Sequence, residues 1–304
     1  MVEYQINDCQ PNPTKSQTSL SKVPFQIAQR FSCRFVPRVQ CAADLLRPGG
    51  DHCIGSGVPE LDRLVGGSGF ECGRVYEVFG PPDSGKTQMA LSLAASCAAS
   101  SGNVLYLDVK GDFSAARLAE IICARAQTDR LLDRVRLKRI FTLSELTDAL
   151  DYVDDLVENQ DPFWVGARLV VIDNLASLVL PELDFDLDDD ESGRGSIEGV
   201  KEVFGAVDVA VGAVQRLASE RHVCAVIVNN AVAASEDDDG GGDADCRPSL
   251  GKMFDNAADV RLRVTRDSPE SPSRTVSVDK GIRLAPRATC RVRVTGRGWD
   301  EWKN

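Results

Sequence analysis

No run of eighteen or more apolar residues occurs among the 304 residues of this chain, which excludes a membrane-spanning helix of ordinary length. The opening residues, MVEYQINDCQPNPTKSQTSL, lack the charged-then-apolar order of a secretory signal, so a soluble, intracellular chain is expected. No C-x-x-C pair exists among the ten cysteines, and only two histidines could join them. Structural zinc sites use such close ligand pairs, so the spread of Cys33, Cys41 and Cys53 with His52 does not have the pattern of one. The scatter of the cysteines also argues against a disulfide framework, and reduced thiols are expected. No internal repeat is visible.

Acidic residues, in contrast, are in excess, and the formal net charge is −11. A total of that sign disfavours nucleic-acid binding, so its distribution matters more than its size. Two runs explain it. PELDFDLDDDES contributes seven acids between Glu182 and Glu191, and SEDDDGGGDAD six between Glu236 and Asp245. Without those thirteen the balance is +2, and the stretch from Arg261 to Arg297 is rich in arginine.

With 43% hydrophobic residues, the chain has ample material for a buried core. Residues 1–20 are polar, with Pro11 and Pro13, and are expected to form a disordered tail. Residues 21–53 mix apolar and basic side chains over too short a length for a core of their own and are expected to be a docking segment and linker. The remainder, 54–304, alternates strand-like and helical runs, the signature of a parallel sheet covered by helices. RVYEVFG (74–80), NVLYLDV (103–109), ARLVVID (167–173) and HVCAVIVNN (222–230) are the expected strands. QMALSLAASCAAS, SAARLAEIICARAQ, ELTDALDYVDDLVE (preceded by RIFTLS, 139–144) and a long helix from Ile197 are the expected helices. ADVRLRVTR, RTVSVDK and TCRVRVTG suit antiparallel strands at a sheet edge.

The residues with the most specific chemistry follow the first strand. GPPDSGKT, from Gly80 through Pro81, Pro82, Asp83, Ser84, Gly85 and Lys86 to Thr87, is a P-loop in its required strand–loop–helix context. Its glycines let backbone N–H groups curl around phosphate oxygens, and the following helix N-terminus adds the positive end of its dipole. Lys86 would neutralise the β/γ phosphates of ATP, and the Thr87 hydroxyl would ligate Mg²⁺. Asp173, at the end of an apolar strand, is the expected second Mg²⁺ partner, directly or through water; as an isolated feature such an aspartate also suits a helix cap.

The segment GSGVPELDRLVGGSGFECGRVYEVFGPPDSGKTQ (55–88) resembles the entry to the ATPase core of RecA/RadA-type recombinases of archaea and eukaryotes, including Gln88 after the P-loop. NVLYLDVKGDFSAARL, SGRG (192–195) and IVNNAV (227–232) resemble the family's next strand and helix, its first DNA-binding loop and the strand end before its second. Residues 41–65, 103–122 and 249–254 look most like the D-type eukaryotic paralogue. The resemblance implies a RecA-like α/β fold, binding of ATP and Mg²⁺, a place in the nucleus, related paralogue subunits as partners, single-stranded or branched DNA as ligand of the chain or its complex, and a role in homologous recombination and double-strand break repair. It also marks two departures. Active recombinases carry a glutamate that activates the attacking water where this chain has Lys110, and a protonated amine cannot accept that proton. Their γ-phosphate-sensing glutamine is matched by the shorter Asn230. Slow hydrolysis is expected; an autonomous DNA-stimulated ATPase and an adaptor glued by ATP are the competing readings.

The candidate DNA contacts are Arg194, in the first loop, and Arg261 and Arg263, two apart and therefore on one strand face; a charged, solvated sheet edge explains the latter pair equally well. Carboxylates in both loops oppose DNA binding. Phe25-Gln-Ile-Ala28 resembles the Phe-x-x-Ala element by which recombinase protomers join, which makes Phe25 and Ala28 candidate partner contacts; a helix packing on its own core is the other reading.

Overall fold

A computed structural model describes residues 52–128, 130–185, 195–233, 246–268, 270–281 and 284–302. The expected tail, nearly all of the docking segment, Phe25, Ala28, Arg194 and most of both acidic runs lie outside them. The described chain enters on β1 (Cys53–Ile54), which pairs antiparallel with β2 (Phe70–Glu71) around helix α1 (Pro59–Leu64).

The core is one large sheet. Its strands are β3 (Val75–Gly80), β4 (Asn103–Asp108), β5 (Val135–Arg139), β6 (Ala167–Asp173), β7 (Cys224–Ala233), β8 (Cys246–Pro248), β9 (Val260–Arg266), β10 (Ser273–Gly281), β11 (Thr289–Thr295) and β12 (Gly298–Glu301). They run in the order β12-β11-β10-β9-β3-β7-β6-β4-β5, with β8 paired to β7. From β9 through β5 every neighbour is parallel, whereas β9, β10, β11 and β12 form an antiparallel extension. Helices α2 (Lys86–Ala99), α3 (Ala115–Ala126), α4 (Leu143–Glu158), α5 (Pro162–Val165), α6 (Ala176–Phe185) and α7 (Gly195–Arg221) connect and cover the strands.

The central strands β3, β4 and β6 are buried on both faces, which is why they read as continuous apolar runs. On β4, Val104 and Tyr106 join one core cluster while Leu105 and Leu107 join the other; on β6, Leu169 and Val171 oppose Val170 and Ile172 in the same way. The first cluster packs against α2 and α3, the second against α4 and α7. Side-chain caps set two helix starts. Ser114 accepts from Arg117 N at 3.2 Å, and Thr142 accepts from Glu145 N while the Glu145 carboxylate reaches back to Phe141 N at 2.8 Å. That second cap starts the helix at Leu143, two residues before the expected ELTDALDYVDDLVE, and the strand ahead of it is Val135–Arg139. β12 and α6 have no counterpart in the sequence reading. β12 is four residues long, and α6 carries Pro181 and runs into an acidic stretch.

Arg125 joins the antiparallel extension to the rest. Its guanidinium donates to Ser56 O, Ser92 O, Ser96 Oγ, Arg297 O and Trp299 O, tying α3 to α2, β12 and the β1–α1 turn.

Candidate nucleotide site

Strand β3 stops at Gly80, and the chain closes a tight loop before α2 opens at Lys86. Glycine is required at both ends of the loop. A Cβ on Gly80 would stand 2.1 Å from the Val264 carbonyl oxygen, and Gly85, the residue capping α2, has φ +98°, a conformation that costs side-chain-bearing residues strain. Ser84 is fully buried, while Pro82 and Asp83 form the exposed crest. Arg274 of β10 supports the loop from behind, with Nη2 3.5 Å from Asp83 O.

Lys86 is 8% exposed, and its ammonium donates to Gly80 O at 2.9 Å and Pro81 O at 2.7 Å. The loop is thus already wrapped around its own cation. Burial pulls the Lys86 pKa down to about 8; Asp173 and Asp83 oppose the shift and Lys110 adds to it. Its neighbour Thr87 donates its hydroxyl to Asp173 Oδ2 at 2.8 Å, and Tyr106 OH donates to the same oxygen at 2.8 Å. The fold therefore brings together Thr87 and Asp173, 86 positions apart in sequence. Burial raises the Asp173 pKa, with the Tyr106 and Thr87 hydrogen bonds working against it.

The other strand ends complete the edge. Asn230 stands level with Gly80 in the β3–β7 register and accepts from Asn174 Nδ2 at 2.7 Å. Gln88 accepts from Arg117 Nε at 2.9 Å, which links α2 to α3. Asp108, buried at the end of β4, accepts from Gly111 N and Asp112 N at 2.8 and 3.2 Å, folding the loop that presents the exposed Lys110 near Lys86. Among the described residues no group of three or more His, Cys, Asp or Glu side chains could hold a metal unaided. One hydroxyl and one carboxylate beside a phosphate cradle are instead the hard-oxygen set that suits Mg²⁺ carried in with phosphate.

Tyr106, Asn174, Arg117 and Arg274 were not singled out from sequence. Tyr106 alone left a signal there, as a hydroxyl within an otherwise apolar strand. Of the candidate DNA contacts, Arg261 is 7% exposed and paired with the buried Glu77 carboxylate and with Asp255. Arg263 shares its face as expected but is half-buried, its Nε 3.3 Å from Ser277 Oγ.

Residues 52–298 match the Rad51 family model. The chain belongs to the Rad51 family. Among Rad51-family relatives it is similar to "DNA repair protein RAD51 homolog 4" of Mus musculus, 34% identical over 43% of this chain and 41% of the relative. It is also similar to "Probable DNA repair protein RAD51 homolog 4" of Dictyostelium discoideum, 24% identical over 75% and 71%, and to "DNA repair protein RAD51 homolog 2" of Mus musculus, 29% identical over 60% and 58%. The matched part thus spans about two fifths of the first of these relatives. The RadB recombinase crystal structure shares the fold at a TM-score of 0.63 and 21% identity, covering 82% of this chain and all of that one. The mostly parallel sheet with its antiparallel extension is accordingly a RecA-like recombinase fold, and the chain is a paralogue within a family that generally binds ATP with Mg²⁺.

Proposed function

We propose that this chain is an ATP-binding recombinase paralogue, of the D-type branch, which works in the nucleus with related subunits in homologous recombination and double-strand break repair without exchanging strands itself. The observation that carries the proposal is the convergence of Lys86, Thr87 and Asp173 on one dry strand edge. Residues 80–87 would cradle the phosphates of ATP, Lys86 and the α2 N-terminus would supply positive charge, and Thr87 and Asp173 would hold Mg²⁺, which would neutralise phosphate charge when bound. The oxygens that now share the Thr87–Asp173 hydrogen bond are the ones that would hold the metal, and Asn230, level with Gly80, would be the residue to sense the terminal phosphate.

Lys110 supports binding without rapid turnover. It is exposed two positions past the end of β4, and its charge is felt at Lys86; an ammonium there would stabilise anionic phosphate but accept no proton from water. The purified chain is therefore expected to turn ATP over slowly, with little response to single-stranded DNA. Vigorous DNA-stimulated hydrolysis in a steady-state phosphate-release assay would refute this part of the proposal in favour of an autonomous recombinase.

A further inference from the structure

Glu77 is a charged residue in the middle of β3 with none of its surface exposed. It faces the core that α4 and α7 cover, where its strand neighbours are apolar. In register it lies beside Arg261 of β9 and Ile227 of β7. Its two oxygens are used in different directions: Arg261 Nε donates to Oε2, and Asn229 Nδ2 donates to Oε1 at 2.7 Å.

Each partner continues outward. Asn229, also fully buried, accepts from Ala176 N at 3.1 Å, and Asn230 beside it accepts from Asn174. Two successive asparagines of β7 thereby hold the turn that follows Asp173. On the other side, Arg261 donates to Asp255 Oδ1 at 3.0 Å and reaches Phe254 O at 3.4 Å, while Lys280 donates to the carbonyls of Asp255 and Ala258. Leu250, Phe254, Ala257 and Ala258 pack on this same core face. A buried ion pair is weak evidence for stability, because apolar residues of similar size often serve as well. The directional use of every oxygen calls for another role.

We propose that Glu77, Arg261 and Asn229 form a positioning relay that fixes the Asn174–Ala176 turn and Asn230 relative to the segment from Gly251 to Ala258. Its consequence for nucleotide binding rests on the proposed ATP·Mg²⁺ site; the relay itself does not.

The test is amide hydrogen exchange on the full chain without nucleotide. In Glu77→Gln the charged Arg261 loses its counter-charge but keeps the amide oxygen, which leaves the N–H₂ opposing the Asn229 Nδ2 donor, so exchange should quicken about tenfold or more both at 251–258 and at 174–177, with α2 unchanged. Adding Arg261→Met removes the opposing donor; the carbonyl oxygen of the introduced amide then accepts from Asn229, and protection should return at 174–177 but not at 251–258. Asn229→Ala, the mildest change, should quicken 174–177 alone. Unchanged exchange at 174–177 in Asn229→Ala, or acceleration spread evenly over the core in Glu77→Gln, would overturn the relay. A second arm compares ligands by direct titration: Asn229→Ala should weaken Mg²⁺-dependent ATP binding roughly tenfold and leave Mg²⁺-free ADP binding intact, and equal ATP affinity would contradict positioning of the nucleotide edge. If the unmodified chain fails to bind Mg·ATP, the proposed function falls while the exchange arm still decides the relay.

Discussion

Lys86 combines burial with charge, and that combination is measurable. Its pKa, brought to about 8 by desolvation, means that the free chain loses the proton near pH 8, whereas bound triphosphate would keep it. ATP binding should therefore take up close to one proton per site above pH 8 and almost none at pH 6.5, with affinity falling as pH rises; calorimetry in buffers of different ionisation enthalpy reads this directly. The sign for stability is opposite. An unfolded lysine titrates near its ordinary 10.5, so the buried charge costs stability at neutral pH, and that cost disappears as pH rises from about 8 to 10.5. Lys110→Glu replaces a cation whose charge is felt at Lys86 by an anion and should move the proton-uptake window to higher pH; an unmoved window would contradict that electrostatic coupling. Gly80 makes a purely steric prediction. The added methyl of Gly80→Ala meets the backbone of β9 at 2.1 Å, and the substitution should cost about 1–3 kcal/mol in denaturant unfolding.

At the scale of elements, the apolar runs and the alternating runs were the legible part. Apolar runs marked β3, β4, β6 and β7 because both of their faces are buried, and arginine-rich alternation marked β9, β10 and β11. What escaped was contextual. β12 is a four-residue strand stabilised by pairing with β11 and by Trp299 N donating to Ser92 Oγ at 2.8 Å, neither of which local composition reveals. The partners that the lone carboxylate of Glu77 and the hydroxyl of Tyr106 find lie 67 to 184 positions away. The burial of Arg261 escaped for the same reason, since an arginine alternating along a strand looks solvated until its buried partner is known. The Thr142 cap is testable alone: Thr142→Ala should lower stability by about 1 kcal/mol, read as a fall of about 2–4 °C in Tm for a core of this size, whereas Thr142→Ser should keep most of it. Arg125 should matter more. Arg125→Met deletes every hydrogen bond it makes to α2, β12 and the β1–α1 turn, and proteolysis should then cut first near β12.

For the molecule as a whole, a RecA-like sheet gathers the ends of β3, β4, β6 and β7 at one edge, and the P-loop, Lys110, Asp173 and Asn230 all sit there. The P-loop was evident from its own residues, and Asp173 was expected as the second Mg²⁺ partner; that the Asp173 carboxylate accepts from Thr87, and that Tyr106 shares the same oxygen, required the fold. If ATP and Mg²⁺ occupy this edge, the folded chain should gain about 2.7 kcal/mol at a free ligand concentration one hundred times Kd. Direct calorimetric titration of Mg·ATP into the unmodified chain, Lys86→Ala and Asp173→Asn tests the central claim most plainly. Saturable binding by the unmodified chain is expected, with Lys86→Ala losing most of the affinity and Asp173→Asn losing the part that depends on Mg²⁺. Equal affinity in all three proteins, or no binding by the unmodified chain, would contradict the assignment of this edge as a nucleotide site.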